Sequence, residues 1–275
     1  MSDYLEQNNI PKTKQYFHEL LNDKFYSDVV FKNKPFGYYV EVGGLDGFTH
    51  SQSVHFEKFK NWDGIIVEPS PQQLDELKKN RSCNICTNPI SDVRETNKFV
   101  VRNFLAYSHL IDIDEQYGPD EVIDTIDVET ITLVDLLNKY DTPTEIDWVA
   151  IDTEGYELRI LTKYFEENTK YKINLFSLEH AYEEFVIDFF KDKPYVKIHN
   201  PYLNFIKLHH KLGMVRLHSD NNFYNAAGEM YMGSISDLLN ITFEHYYVHL
   251  DYLKDNPHLK YYLNSNTIRD SQFIK

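Results

Sequence analysis

The stretch Tyr38-Tyr39-Val40-Glu41-Val42-Gly43-Gly44-Leu45-Asp46-Gly47 most constrains what this chain can fold into. An apolar run closed by an acid breaks into a loop with three glycines, and Ser51 to Phe59 then reads as a helix. Strand, glycine turn and helix open a nucleotide-binding α/β unit, since glycine permits a tight turn and close approach to a ligand. A dinucleotide turn of the G-x-G-x-x-G type offers bare amides and a helix N-terminus to a pyrophosphate. Here the glycines stand at 43, 44 and 47, and Asp46 puts a negative charge inside the turn. Two neighbouring anions repel, so the turn suits a ligand carrying positive charge.

The rest of the chain repeats the alternation. Short apolar runs at Gly64–Glu68, Asn84–Thr87, Ile146–Asp152 and Ile173–His180 suit strands buried on both faces of a parallel sheet. Helices are expected between them: one from Pro71 to about Asn80 with Ser70 as N-cap, one from Thr132 with Asp135 completing a capping box, and one from Gly155. Phe99–Asn103 adds a strand, residues 103–125 show no period and read as a long ordered loop or lid, and Tyr202–Lys211 reads as a helix. Met214–His218 and Phe223–Met232 read as a closing hairpin. The fold class is therefore α/β: a Rossmann-like doubly wound sheet of about seven strands, mostly parallel, with an antiparallel edge hairpin. Helical extensions are expected at both ends, including a helix over Lys12–Leu21 and an apolar helical stripe running from Ser234 through Ile235, Leu238, Phe243, Tyr246, Leu250 and Leu253 to Pro257. The boundaries expected are 1–30 for the N-terminal extension, 31–233 for the catalytic domain and 234–275 for the tail.

Charge and composition exclude some function classes. A net charge of −15 disfavours a nucleic-acid groove, which needs clustered Lys and Arg, so no DNA partner is expected. Met1–Gln7 has neither a basic start nor an apolar core, and no run approaches the ~20 apolar residues of a membrane span. Two cysteines, Cys83 and Cys86, cannot form a disulfide scaffold or a four-ligand zinc site and read as free thiols. A cytoplasmic location is expected. His245 and His249 have a zinc-like spacing but lack the acid of H-E-x-x-H, and read as polar positions on the tail helix, as do the adjacent His209-His210 on theirs.

Four motifs in register narrow the reading. Glu41 to Ser51 resembles the first motif of the FkbM-type S-adenosylmethionine-dependent methyltransferases. Trp62–Pro71 is similar to that family's second motif, Asn88–Asp92 to its third and Ile151–Glu157 to its fourth, and Asn80-Arg81 also fits. The likeness runs over about residues 38–180 in the family's order. The family usually has a small residue and then asparagine where this chain has Gly44 and Leu45, and asparagine where it has Gln52. The resemblance implies a Rossmann-like sheet with S-adenosyl-L-methionine across the strand ends. That donor carries an ammonium and a sulfonium, which agrees with Asp46.

Site residues follow from the motifs and from chemistry. Gly43 and Gly44 let the backbone approach the methionine moiety, and Asp46 and Glu41 face its ammonium. Glu41 has an equal alternative, fixing the loop through its amides. Glu68, followed by Pro69, lies 21 positions after Gly47, close to the ~20-residue spacing at which a carboxylate grips a ribose diol. Ser51 belongs to the first motif, and Asn88 and Ser91 face the adenine or act as turn caps. Asp152 and Glu154 are placed to contact donor and acceptor, and His180, after the fifth strand, has a resting pKa suited to a general base. Asp152, Glu179 and His180 would also suit magnesium or manganese, though no spacing requires a metal. The expected activity is O-methyl transfer to a hydroxyl of a sugar, nucleotide-sugar or glycan. The rivals are a methyltransferase-like binding module without catalysis and a nicotinamide-dependent oxidoreductase. Some of the many aromatic residues would stack on sugar rings or form a homodimer face.

Overall fold

The computed structural model describes residues 15–18, 21–112, 121–179, 188–202, 216–217, 223–224, 230–231 and 244–263. Helix α1 (Asn22–Phe25) continues in π geometry over Tyr26–Val30 and leads to β1 (Tyr38–Val42). Helix α2 (Val54–Lys60), β2 (Asp63–Val67), α3 (Pro71–Asn80) and β3 (Asn84–Cys86) follow. Strands β4 (Thr96–Arg102), β5 (His109–Leu110) and β6 (Val122–Glu129) come next, then α4 (Leu133–Lys139), β7 (Glu145–Ile151), α5 (Glu157–Glu167) and β8 (Lys172–Glu179). The described part closes with β9 (Tyr195–Ile198), three two-residue strands β10 (Arg216–Leu217), β11 (Phe223–Tyr224) and β12 (Met230–Tyr231), then β13 (Glu244–His249) and α6 (Leu250–Asp255).

The main sheet has seven strands in the order β3-β2-β1-β7-β8-β13-β9. Strands β1, β2, β3, β7 and β8 pair in parallel, and β13 runs antiparallel between β8 and β9. Consecutive strands leave β1 in one direction, and the chain returns to β1's other side with β7, so the order reverses between β1 and β7. A crevice at the carboxyl ends of strands forms at such a reversal. Alternate residues feed two cores: Val40, Val42, Ile65 and Val149 pack with α4 and α5, while Tyr39, Ile66, Trp148 and Leu175 pack with α1, α2 and the C-terminal segment. Thr132 and Asp135 form the expected capping box of α4.

Several elements depart from expectation. Residues 15–18 are not helical; the buried Asp23 carboxylate accepts the amides of Phe17 and His18, and the helix starts only at Asn22. The stretch expected as a long ordered loop or lid contains β5 and the first residues of β6, which flank β4 on its two sides in a separate antiparallel sheet. Only Ile126 and Val128 of β6 reach the core, so the strand has little period to read. The hairpin expected at 214–232 forms the small sheet β10-β11-β12, and the antiparallel edge of the main sheet is built by β9 and β13 instead. Glu244–His249, expected as helix, is the buried strand β13; helix begins only at Leu250. His245 is therefore a buried strand residue, and His249 caps α6 by accepting the Asp251 amide at Nδ1. The helix expected over 202–211 lies, after Tyr202, outside the described residues, and so do His209 and His210. Cys83 and Cys86 are free thiols. Among the described residues no helix is long and apolar enough to cross a membrane.

Candidate functional site

The first loop is sewn onto its neighbours by backbone contacts. The amides of Gly43 and Gly44 donate to the Val67 carbonyl at 3.0 and 3.1 Å, and the Asp152 amide donates to Val42 at 3.0 Å. The ends of β1, β2 and β7 are thus held together. Gly43 takes φ +92°, and a Cβ there would lie 2.3 Å from the Asp152 carbonyl oxygen. At Gly44 a Cβ would meet Ile66 Cγ2 at 2.1 Å. Glycine at these two positions is required by the protein's own packing, before any ligand is considered.

Glu41, the penultimate residue of β1, is buried. Its carboxylate accepts the Gln52 amide at 2.7 Å, both Ser51 Oγ contacts at 3.2 and 3.1 Å, and the Ser53 hydroxyl. Through these contacts Glu41 holds the loop, with Ser51 as one partner. Arg81 backs this arrangement. Its side chain is fully buried and donates to Glu57, the Gly47 carbonyl, Ser51, Ser53 and the Tyr39 hydroxyl at 2.7–3.1 Å. Asn80 donates to the Asp46 carbonyl at 2.8 Å. Sequence reasoning noted Asn80-Arg81 but assigned it no task. The signal available was a basic residue just past a helix, opposite an acid-rich loop.

Asp46 and Glu68 complete the loop's side-chain contacts. Asp46 Oδ1 accepts the amides of Phe48 and Thr49 at 2.8 and 2.7 Å, and Oδ2 accepts the Thr49 hydroxyl at 2.8 Å. Glu68 directly follows β2 and is buried, with the Leu45 amide on Oε2 at 2.8 Å and the Ser70 amide on Oε1 at 2.7 Å. Burial pushes the Glu68 carboxyl up to about 7, the amide bonds resist, and the nearby Asp46 charge adds to the rise. Pro69 follows, half-buried, where the chain turns into α3.

Asp152 follows β7. In the β7–β8 register Ile151 pairs with Leu178, so Asp152 and Glu179 leave adjacent strands side by side. Burial raises the Asp152 carboxyl well above its ordinary range, and the Glu179 and Glu154 charges raise it further. Glu154 adopts a left-handed φ of +58°, and Glu157 locks the turn by accepting the Thr153 and Gly155 amides and the Thr153 hydroxyl at 2.7–3.2 Å. His180 lies outside the described residues.

The third motif is committed to the turn itself. Asn88 donates to the Glu129 carbonyl at 2.8 Å and accepts Lys139 Nζ at 3.0 Å. Ser91, fully buried, bonds the Asp92 carboxylate at 3.2 Å and accepts the Val93 amide at 3.4 Å. The Asn88 and Ser91 side chains both cap groups of the turn. Among the described residues no group of three His, Cys, Asp or Glu side chains could hold a metal ion.

The donor set tests the implied cofactor. At the reversal point the charges that act most strongly on Asp152 are carboxylates, and Asp46 acts on Glu68 in the same sense. Arg81 is sealed behind the loop by its five acceptors. Such a site is short of positive charge, which a sulfonium and an ammonium would bring and a pyrophosphate would not. The model of the methyltransferase FkbM domain family matches residues 41–210. Among curated proteins and among solved structures, nothing matches the chain significantly.

Proposed function

The chain belongs to the FkbM methyltransferase family, and from that premise we propose that it is an S-adenosyl-L-methionine-dependent O-methyltransferase acting on a sugar hydroxyl. The observation that carries the donor half is the set of carboxyls at the strand ends, buried Glu68 with half-buried Asp46 and Asp152, beside a loop whose guanidinium is fully engaged elsewhere. Bound there, the donor would supply an electrophilic methyl carbon, with its thioether sulfur as the leaving group for in-line attack by an acceptor oxygen.

The chain's own part is to hold, orient and take a proton. In this reading the Glu68 carboxylate accepts the two ribose hydroxyls, and Asp46 accepts the ammonium. Fixing both ends of the donor sets the direction of attack, the largest contribution available to a displacement of this kind. Asp152 and Glu154 accept hydrogen bonds from acceptor hydroxyls, and His180, next after Glu179, takes the proton released. A sugar acceptor is supported by the half-exposed pair Phe104 and Tyr107, whose rings meet at 4.8 Å. Their segment runs on to Asp112, which binds Tyr156 and Arg159 beside the Asp152 turn. Aromatic faces pack against sugar C–H faces, while acids accept from the hydroxyls. The net charge favours a glycan without a diphosphate over a nucleotide sugar. The reaction is placed in the cytoplasm, without a required metal.

Calorimetry with S-adenosylmethionine, S-adenosylhomocysteine and NADH tests the donor. Binding of the first two is expected; binding of NADH alone overturns the reading, and binding of none favours a non-catalytic module. Mass spectrometry of neutral glycans after incubation then reads an added methyl. His180→Ala should abolish that product while donor binding persists.

A further inference from the structure

The segment before the matched domain is built against the first glycine loop. Phe17 is buried in a small cluster with Phe48 and Val54, its ring meeting Phe48 edge-on at 5.3 Å and stacking on Phe59 at 6.4 Å. Its backbone is pinned at the same place, the Phe17 and His18 amides both donating to the buried Asp23 carboxylate. One residue earlier, Tyr16 stacks on His55 at 4.6 Å and donates its hydroxyl to Asp28 at 3.0 Å. His55 Nδ1 lies 2.8 Å from the Gln15 carbonyl and Nε2 lies 2.9 Å from Ser27 Oγ. A carbonyl only accepts, so Nδ1 carries the proton and Nε2 accepts. Burial holds the His55 ring down to about 4, so it stays neutral and the clasp is made in one tautomer at physiological pH.

Phe48 is where this clasp meets the site. Its amide donates to Asp46 Oδ1 at 2.8 Å, the next amide does the same, and its carbonyl accepts the Ser51 amide at 3.3 Å. A ring that shifts at Phe48 therefore moves both the Asp46 carboxylate and the Ser51 partner of Glu41. The helical segment behind gives a second brace: the Tyr26 hydroxyl donates to Gln52 Oε1 at 2.8 Å, and the Gln52 amide donates to Glu41.

We propose that Phe17 is a positioning residue for the donor site, holding Phe48 and through it the Asp46–Thr49 turn, so that donor affinity depends on a segment lying before the matched domain. The donor part rests on the function proposed above; the ordering of the turn does not. The two are separated by measuring both in the full-length chain carrying Phe17→Ala or Phe17→Leu. Hydrogen exchange without ligand reads the amides of Phe48 and Thr49, and calorimetry with S-adenosylhomocysteine reads affinity. In Phe17→Ala the two amides should exchange about tenfold faster while Val149 and Phe176 in the central sheet keep their rates. Affinity should fall by roughly five- to twentyfold, with turnover at saturating donor within about twofold of wild type. Phe17→Leu, which refills most of the volume, should restore both. Unchanged exchange at Phe48 and Thr49 overturns the brace. Faster exchange with unchanged affinity overturns the positioning role. If the wild-type chain binds no S-adenosylhomocysteine, the proposed function falls, and the exchange rates alone decide the brace.

Discussion

The Leu45 amide donates to Glu68 Oε2 at 2.8 Å, so the acid just after β2 holds the loop that follows β1. One carboxylate therefore sets the loop, and its environment makes it responsive to pH. Burial keeps the Glu68 carboxyl up to about 7 in the folded chain, whereas an unfolded glutamate titrates near ~4.3. Between those values the native state binds the extra proton, so stability falls as pH rises and is flat above the upper value. The swing is on the order of 3 kcal/mol. Urea unfolding from pH 4.5 to 8 should show that slope, and Glu68→Gln should remove it.

Donor affinity should run the other way. In the function proposed above the ionised Glu68 carboxylate accepts both ribose hydroxyls, so binding of S-adenosylhomocysteine should strengthen as pH rises from 6 toward 8 and then level off. Glu68→Ala should weaken it roughly ten- to hundredfold, the loss of hydrogen bonds to a charged group. Calorimetry at three pH values checks both statements, and an affinity flat across them would remove Glu68 from the ribose.

The sequence announced the parts of this arrangement that are local. Apolar runs closed by acids marked β1, β2 and β7, and Thr132 with Asp135 marked the start of α4. What it concealed depends on partners far along the chain. Glu244–His249 carries apolar residues at spacings that suit a helix as well as a strand. It is a strand because it fills the gap between β8 and β9, a pairing no local pattern reports. The roles of Asn88 and Ser91 turned on Glu129, Lys139 and Val93, and that of Arg81 on five acceptors from residue 39 to residue 57.

Arg81 is the residue whose loss should cost most. Burial works against the Glu57 carboxylate, yet the Arg81 charge and then Lys58 hold it well below the usual carboxylate range. Arg81→Met leaves the buried Glu57 and Glu41 without that cation, and breaking a buried pair in this way costs about 3–5 kcal/mol. Arg81→Lys should recover little, since one compact ammonium cannot serve a fan of acceptors. Denaturant unfolding of both variants gives the answer; a lysine variant as stable as wild type would show that charge alone suffices.

Asp152 should show the opposite sign. Burial raises its carboxyl, and the Glu179 and Glu154 charges raise it further, so the folded chain loses stability as pH climbs above the ordinary carboxylate range. Asp152→Asn removes that charge from the cluster and should stabilise the chain by about 1–2 kcal/mol at pH 8, with a smaller gain at pH 4. Methyl transfer should meanwhile fall by roughly a hundredfold or more. Melting curves at the two pH values, set beside turnover, test whether this carboxyl is kept for function at the expense of stability.

Gly44 allows a cleaner test of what the first loop's glycines are for. A Cβ there would sit 2.1 Å from Ile66 Cγ2, a contact neither atom can keep. Gly44→Ala should therefore destabilise the chain by about 1–3 kcal/mol through overpacking. Ile66→Ala alone should cost about 2–5 kcal/mol, because Ile66 is fully buried and its removal leaves a cavity. Together the two changes should cost less than their sum, by at least about 1 kcal/mol, because the added methyl enters the space the isoleucine vacates. Strict additivity in that cycle would mean that the glycine answers to something other than Ile66. If the double variant recovers packing but still binds S-adenosylhomocysteine poorly, close approach to the donor is a second and separate reason for a glycine at this position.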